Sequence, residues 1–132
     1  MSQMREAVDW RTLSQAAWRA REHARILGNT KVGASVLDET SMIHVGCNLE
    51  HRFRSHDIHA EVNALSSMVA AGAMRVVAVF VAAERDSFTP CGSCMDWIME
   101  LGGPETVVAF QATAEGPIKT WRAGELMPHY PK

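Results

Sequence analysis

His59-Ala60-Glu61 and Pro90-Cys91-Gly92-Ser93-Cys94 are the two stretches that decide the fold of this chain. Cys91 and Cys94 have the Cys-x-x-Cys spacing that lets two thiolates from one turn bind a single metal ion. His59, 32 residues earlier, can supply a third ligand. The rest of the chain is therefore expected to bring these two stretches together around one ion.

Glu61 favours a catalytic site over a structural one. Three protein ligands leave the fourth tetrahedral position of zinc open for water, as in catalytic zinc sites. Zinc lowers the pKa of bound water from about 15.7 to about 7, and a nearby carboxylate can carry a proton from nucleophile to leaving group. Glu61 lies two residues beyond His59, close enough to reach that water and too displaced to be a natural fourth ligand.

The Cys-x-x-Cys pair also has two other interpretations, a structural zinc half-site and a redox-active pair. A redox pair does not require His-x-Glu upstream, and a structural site needs a fourth Cys or His. Cys47 lies in a run bounded by apolar residues and is expected to be a small buried hydrophobe. His51 and His56 precede His59 in the same segment, and the sequence leaves open whether one of them is a fourth ligand.

Length and composition indicate one globular domain over residues 1–132, with 47% hydrophobic and 21% charged residues. No membrane-spanning apolar run and no signal peptide is expected, so a membrane partner is not predicted. Three cysteines, two of them assigned to a metal, leave no disulfide to form within the chain, which favours the cytoplasm. The net charge of −2 predicts a small-molecule substrate rather than nucleic acid.

Hydrophobic periodicity predicts alternating helices and strands. A first helix follows a cap at Asp9 or Thr12 and ends at Gly28, and residues 31–37 and 41–47 form a hairpin. Gly33 and Gly46, inside its strands, indicate that other backbone approaches closely there. The remaining predicted elements are a helix over 59–71, a buried strand over 76–82, a helix over 91–101, a strand over 106–110 and a short tail.

This order of elements predicts an α/β domain with helices on both faces of the sheet. The metal ligands then fall at the starts of two helices. A helix N-terminus carries partial positive charge, which favours thiolates at Cys91 and Cys94. Glu61 is held on a rigid element beside the metal.

Three motifs in this order, Asn48-x-Glu50, His59-x-Glu61 and Pro90-Cys91-x-x-Cys94, resemble the cytidine deaminase family over roughly residues 10 to 130. Lys31-Val32-Gly33-Ala34 and Gly124-Glu125-Leu126-Met127-Pro128 are similar to further motifs of that family. The resemblance implies a three-layer α/β/α fold with a central mixed sheet of about five strands.

The resemblance also implies a zinc-dependent hydrolase that converts a cytosine nucleoside to the uracil form and releases ammonia. His59, Cys91 and Cys94 would bind Zn²⁺, and Glu61 would be the catalytic proton carrier. Asn48 and Glu50 would hydrogen-bond the sugar hydroxyls. The backbone of Ala60 and the carbonyl of Thr89 would address the pyrimidine edge.

Three departures from the family pattern leave the exact substrate open. Short members usually have Cys at the position of His59, and an aromatic residue of the base pocket at the position of Thr30. Met95-Asp96 stands where Arg-Gln commonly follows the second zinc cysteine. Alternatives are therefore another heterocycle or a nucleoside antibiotic such as blasticidin S. Two separate hypotheses are a polynucleotide editor that contacts phosphate through Arg52 and Arg54, and a non-catalytic zinc-stabilised binding module.

Assembly is a further expectation. Short family members form homotetramers with shared active sites, so a homotetramer is favoured and a dimer is the alternative. Trp121, Met127 and Tyr130 are large apolar groups of the tail that need cover. An interface would supply that cover, and the other possibility is that the tail folds back on its own core.

Overall fold

A computed structural model describes residues 8–131, which form a mixed five-stranded sheet in the order β2-β1-β3-β4-β5. The sheet strands are β1 (Val32–Asp38), β2 (Ile43–Cys47), β3 (Val76–Ala83), β4 (Val107–Gln111) and β5 (Ile118–Arg122). The helices are α1 (Trp10–Arg21), α2 (Ala60–Ala70), α3 (Gly92–Leu101) and the short α4 (Ala123–Leu126), with a 3₁₀ turn at Arg54–His56. Only the β3–β4 pair is parallel.

Helices cover both faces of the sheet, so the predicted three-layer α/β/α class and the count of about five strands are confirmed. One buried cluster joins α1 to residues such as Ala78 and Phe80 of β3. The other cluster joins α2 and α3 to the opposite face through Val79 and Val81. Because α2 and α3 share a face, their N-terminal ends can meet at one edge of the sheet.

The two strand glycines allow two helices to approach the backbone of the hairpin. A Cβ atom on Gly33 would lie 2.0 Å from the carbonyl oxygen of Ala17 in α1, and one on Gly46 would lie 2.4 Å from the backbone nitrogen of Ala64 in α2. Both distances are far inside van der Waals contact. The prediction of close approach at these glycines is confirmed.

Helix α1 begins as predicted but ends earlier. The side chain of Asp9 accepts a hydrogen bond from the backbone N–H of Thr12, as an N-cap does. The helix ends at Arg21 rather than continuing to Gly28, because the backbone of Arg25 pairs with Asn48 and Glu50 at the end of β2. Long-range backbone pairing therefore overrides the helical periodicity of residues 22–27.

The tail contains structure that was not predicted. Residues Ile118–Arg122 form the edge strand β5, antiparallel to β4, and α4 follows at once. Trp121, Met127 and Tyr130 are partly buried against the core of the same chain. The tail thus folds back on its own core, as the second of the two possibilities had it, and covers these side chains in part. None of the helices in residues 8–131 has the length and apolar character needed to cross a membrane.

Candidate metal centre and cleft

The three predicted ligands lie at the N-terminal ends of α2 and α3. His59 is the N-cap of α2 and Cys91 is the N-cap of α3, both in extended backbone conformation, and Cys94 lies in the first turn of α3. An extended residue just before a helix turns its side chain across the helix end, where the unpaired N–H groups are. The fold thus converts two distant sequence motifs into one cluster.

The geometry of this cluster fits a zinc ion. The Nδ1 atom of His59 lies 3.3 Å from the Sγ atom of Cys94 and 3.3 Å from the Sγ atom of Cys91. All three candidate ligand atoms lie within 4.8 Å of one another. Tetrahedral zinc with ordinary Zn–N and Zn–S bonds requires N···S separations of about 3.5 Å. One nitrogen and two sulfurs are also ligand types that zinc prefers.

No fourth side chain of a ligating type joins the cluster among residues 8–131. The ring centroids of His51 and His56 lie 4.8 Å apart, and both rings contact Phe53 instead: His51 stacks on it and His56 meets it edge-on. Cys47 is half-buried in β2, where its backbone N–H donates to the side chain of Asn63. The cluster therefore has the three-ligand composition of a catalytic zinc site.

Proton and metal binding are coupled at Cys94. Burial is the main cause that raises the pKa of its thiol, and the charges of Glu61 and Cys91 add to it. At Cys94 the effect of burial on the thiol pKa is therefore larger than the lowering expected from the positive end of the helix. A divalent cation reverses the balance because it binds the thiolate, so binding of the metal releases protons here.

Glu61 lies in the first turn of α2, only 2% exposed, and lines the same cavity as His59 and Cys91. Burial raises the pKa of its carboxyl, and its own backbone N–H and His59 partly oppose that effect. A carboxyl with a raised pKa beside a metal site is suited to exchange protons near neutral pH.

The cavity at the cluster has a volume of about 240 Å³. Its walls come from four separate segments of the chain. They are Thr30, Val32, Asn48, His59, Ala60, Glu61, Arg85, Phe88, Thr89 and Cys91. Among the residues expected to contact substrate, Asn48, Ala60 and Thr89 are thus brought to the metal cluster, and Glu50 is not among the lining residues.

Asn48 and Glu50 are both engaged in holding the segment that precedes β1. The side chain of Asn48 accepts from the N–H of Val32 and donates to the carbonyl of Thr30. One carboxylate oxygen of Glu50 accepts from the N–H groups of Leu27 and Gly28, at 2.7 and 2.8 Å. These contacts fix the wall of the cavity on the side of Thr30.

The other carboxylate oxygen of Glu50 also has a partner. It lies 3.2 Å from the guanidinium of Arg54, which is itself bound to Asp57. The sugar contact expected of Glu50 stays a prediction, and its present contacts give this carboxylate the role of a brace. Arg54 therefore pairs with two carboxylates of the loop before the metal site. Its presence is explained by these ion pairs and does not require a surface that binds nucleic acid.

Phe88 and Arg85 are cavity residues that sequence reasoning missed. The ring of Phe88 stacks on that of Phe110 with a centroid separation of 5.6 Å and an interplanar angle of 24°. The guanidinium carbon of Arg85 lies 5.9 Å from the Phe88 centroid. Phe88 is thus an aromatic wall for a cavity that has Thr30 in place of the expected aromatic. The sequence signal that could have identified Phe88 as a cavity residue is its position directly before Thr89-Pro90-Cys91.

Comparison with known proteins agrees with this geometry. The family described as "Cytidine and deoxycytidylate deaminase zinc-binding region" matches residues 8–110. The cytidine deaminase of Sporosarcina psychrophila is 29% identical over 123 residues, which is 92% of this chain and 90% of that protein.

Solved structures give the same result. The crystal structure of cytidine deaminase from Burkholderia pseudomallei has a TM-score of 0.84 at 32% identity, covering 92% of this chain and 98% of that chain. The structure of cytidine deaminase from Mycobacterium leprae has a TM-score of 0.77 at 31% identity, covering 92% and 99%. The chain therefore belongs to the cytidine and deoxycytidylate deaminase zinc-binding family, and its His/Cys/Cys cluster fits the Zn²⁺ of that family.

Proposed function

We propose that this chain is a zinc-dependent hydrolase that deaminates a cytosine nucleoside, cytidine or deoxycytidine, to its uracil form with release of ammonia. One observation carries the proposal. A buried carboxyl, Glu61, lines the same cavity as a three-ligand cluster whose N···S distances of 3.3 Å suit tetrahedral zinc. A binding module stabilised by zinc has no use for such a carboxyl.

His59, Cys91 and Cys94 are the proposed zinc ligands. Zinc, when bound, supplies a Lewis acid that lowers the pKa of a coordinated water to about 7. The ends of α2 and α3 bring the three ligand atoms within 4.8 Å of one another, so each ligand is carried by a rigid helix end.

Glu61 is the proposed proton carrier. Its carboxylate accepts a proton as water adds to C4 of the base and delivers that proton to ring atom N3. A second proton, from the new hydroxyl group at C4, then passes through Glu61 to the amino nitrogen. The C–N bond breaks, ammonia leaves and a carbonyl forms at C4. The raised pKa caused by burial brings Glu61 closer to the neutral pH at which both transfers must occur.

The remaining cavity residues position the base. The backbone N–H of Ala60 is among the unpaired donors at the start of α2, and we assign it to the oxygen at position 2 of the pyrimidine. The carbonyl of Thr89 is assigned to the amino group. Asn48 supports the wall on the sugar side, and the ring of Phe88 offers the base an apolar surface.

Assembly and location follow the same proposal. We expect a homo-oligomer, with a tetramer favoured over a dimer, and a cytoplasmic protein whose partner is a small molecule. Support for the oligomer comes from large apolar side chains that stay exposed, namely Phe53 at 62%, Met74 at 75% and Trp97 at 50%.

A substrate panel tests the proposed reaction. Cytidine, deoxycytidine, cytosine, CMP, guanine and blasticidin S are each incubated with the zinc-loaded protein, and ammonia release is the common readout. Cytidine and deoxycytidine are expected to be deaminated with the highest kcat/KM. Ammonia release from guanine or blasticidin S alone would show that the substrate is not a cytosine nucleoside. If no compound released ammonia, the proposal that the protein is a deaminase would be refuted.

A further inference from the structure

A second cavity, of about 390 Å³, adjoins the metal-site cavity. Arg85, Phe88 and Thr89 line both cavities, whereas Thr30 and Asn48 line only the first. The first cavity alone, at 240 Å³, is smaller than the roughly 300–1,000 Å³ of typical ligand pockets. The two cavities therefore lie side by side, with Arg85, Phe88 and Thr89 as their common wall.

The walls of the second cavity are built on the edge of the sheet. In the β4–β5 register Lys119 lies opposite Phe110, and cross-strand partners project from the same face of a sheet. Phe88 stacks on Phe110, and the guanidinium of Arg85 lies over Phe88. This chain of contacts brings a lysine from β5 and an arginine from the loop after β3 to one cavity.

The lining of this cavity has a net positive charge. Besides Phe88 and Trp121 it contains Arg85, Lys119 and the hydroxyl residues Ser87 and Thr89, with no acidic side chain. Both cations are exposed, and neither takes part in any ion pair found in residues 8–131. Cations and hydroxyl groups without an internal acidic partner can donate hydrogen bonds to an anion from solvent.

We propose that Arg85, Ser87, Thr89 and Lys119, here called the basic extension, bind an anionic group of the substrate, a carboxylate or a phosphate. The proposal rests on the proposed deaminase function, because the extension shares Arg85 and Thr89 with its catalytic cavity. The anion is attached either to the base, beside Phe88, or to the sugar. Charge-assisted hydrogen bonds are worth enough to raise kcat/KM for such a substrate by about tenfold or more.

Three substrates test the proposal and locate the anion. They are deoxycytidine, deoxycytidine 5′-monophosphate and 5-carboxy-2′-deoxycytidine, each assayed with the parent, Arg85→Gln, Lys119→Gln and the double variant. The readout is the ratio of kcat/KM for each anionic substrate to that for deoxycytidine. Arg19→Gln is the control, because Arg19 is exposed on α1 and lines neither cavity.

At least one anionic substrate is expected to exceed deoxycytidine by about tenfold in the parent and in Arg19→Gln, and to lose that advantage in the double variant. The advantage should also shrink as salt is added. The substrate that shows it tells whether the anion sits on the sugar or on the base. No advantage for either anionic substrate, or one that survives the double variant, would overturn the proposal.

Calorimetric binding of the same compounds separates this proposal from the proposed reaction. Tighter binding of an anionic compound that depends on Arg85 and Lys119, without turnover of any substrate, would uphold the extension and refute the deaminase. Turnover of deoxycytidine with equal binding of charged and neutral compounds would support the deaminase and overturn the basic extension.

Discussion

The Nδ1 atom of His59 lies 3.3 Å from the Sγ atom of Cys94, a residue 35 positions later in the chain. The two atoms belong to the starts of α2 and α3, which pack on the same face of the sheet. The metal cluster therefore exists only when both helices have docked on that face. Zinc binding and folding of this half of the domain should stabilise each other.

Cys91→Ala should remove most of the bound zinc. Cys91 is exposed, so the change leaves no hole in the core, but the metal loses one of its three protein ligands. Affinity should fall by more than about a hundredfold, since losing an outer-shell partner alone typically costs about 10–100-fold. Elemental analysis after dialysis against a weak chelator measures the loss. Cys47→Ala, outside the cluster, should keep its zinc; equal zinc in both variants would place the metal elsewhere.

Glu50→Ala should impair catalysis without changing the preference for sugar hydroxyl groups. Its carboxylate accepts from the N–H groups of Leu27 and Gly28, so its removal loosens the cavity wall for every substrate. The expected loss of kcat/KM is about two- to tenfold for both cytidine and 2′,3′-dideoxycytidine.

The conservative variant Glu50→Gln is the matched control for this effect. It keeps an oxygen that can accept from the same backbone groups, so it should recover most of the activity. A loss in Glu50→Ala that is confined to cytidine would mean that the carboxylate binds a sugar hydroxyl directly.

Asp38→Asn should lower stability in a way that depends on pH. Asp38 is 3% exposed and accepts hydrogen bonds from Thr40 and Met42 at the β1–β2 turn, with His44 at 2.7 Å. Burial opposes its ionisation, but hydrogen bonds from these three residues outweigh burial and lower the pKa of its carboxyl to about 2 from 3.8. The ionised group should contribute about 1–2 kcal/mol to the free energy of unfolding, allowing for screening by nearby solvent.

The sign of the effect follows from the lowered pKa. The contribution of Asp38 is fully present above about pH 4 and is lost as pH falls toward 2. Urea unfolding of parent and Asp38→Asn should therefore differ above about pH 4 and converge in stronger acid. Asp86→Asn, at an exposed position, serves as the control. A difference that stays constant down to pH 2 would contradict the assignment to this charge.

Light scattering should report a multiple of the 14.6 kDa chain mass. The exposed apolar side chains are the main reason to expect an oligomer, so Phe53→Ser and Trp97→Ser are the informative variants. Either change should weaken the assembly while leaving the core of the chain intact. A monomer with full activity would show that the cavity is complete within one chain.

The sequence was most informative where a residue type has few physical uses. Gly33 and Gly46 could be interpreted as points of close approach because a side chain there would collide with backbone. The His-x-Glu and Cys-x-x-Cys spacings predicted one cluster because few other arrangements use both. Such signals depend on a few neighbouring residues, so they can be recognised without knowing the long-range contacts of the chain.

The failures have long-range causes. Residues 22–27 keep a helical pattern, but pairing of Arg25 with Asn48 and Glu50 takes them out of the helix. Strand β5 was missed because its apolar residues Ile118 and Trp121 pack into opposite faces of the sheet and give no one-sided pattern. The role of Phe88 depends on its stacking against Phe110, which no spacing along the chain reveals.

The rate of cytidine deamination by Glu61→Gln, measured at a matched zinc content, tests whether this buried carboxyl carries the protons of the reaction. The substitution keeps the size of the side chain but cannot exchange a proton, so kcat should fall by about 10²–10⁴-fold relative to the parent. Zinc should remain bound through His59, Cys91 and Cys94, because Glu61 is not part of the ligand cluster. A Glu61→Gln enzyme that holds its zinc and deaminates cytidine at the parent rate would contradict the mechanism.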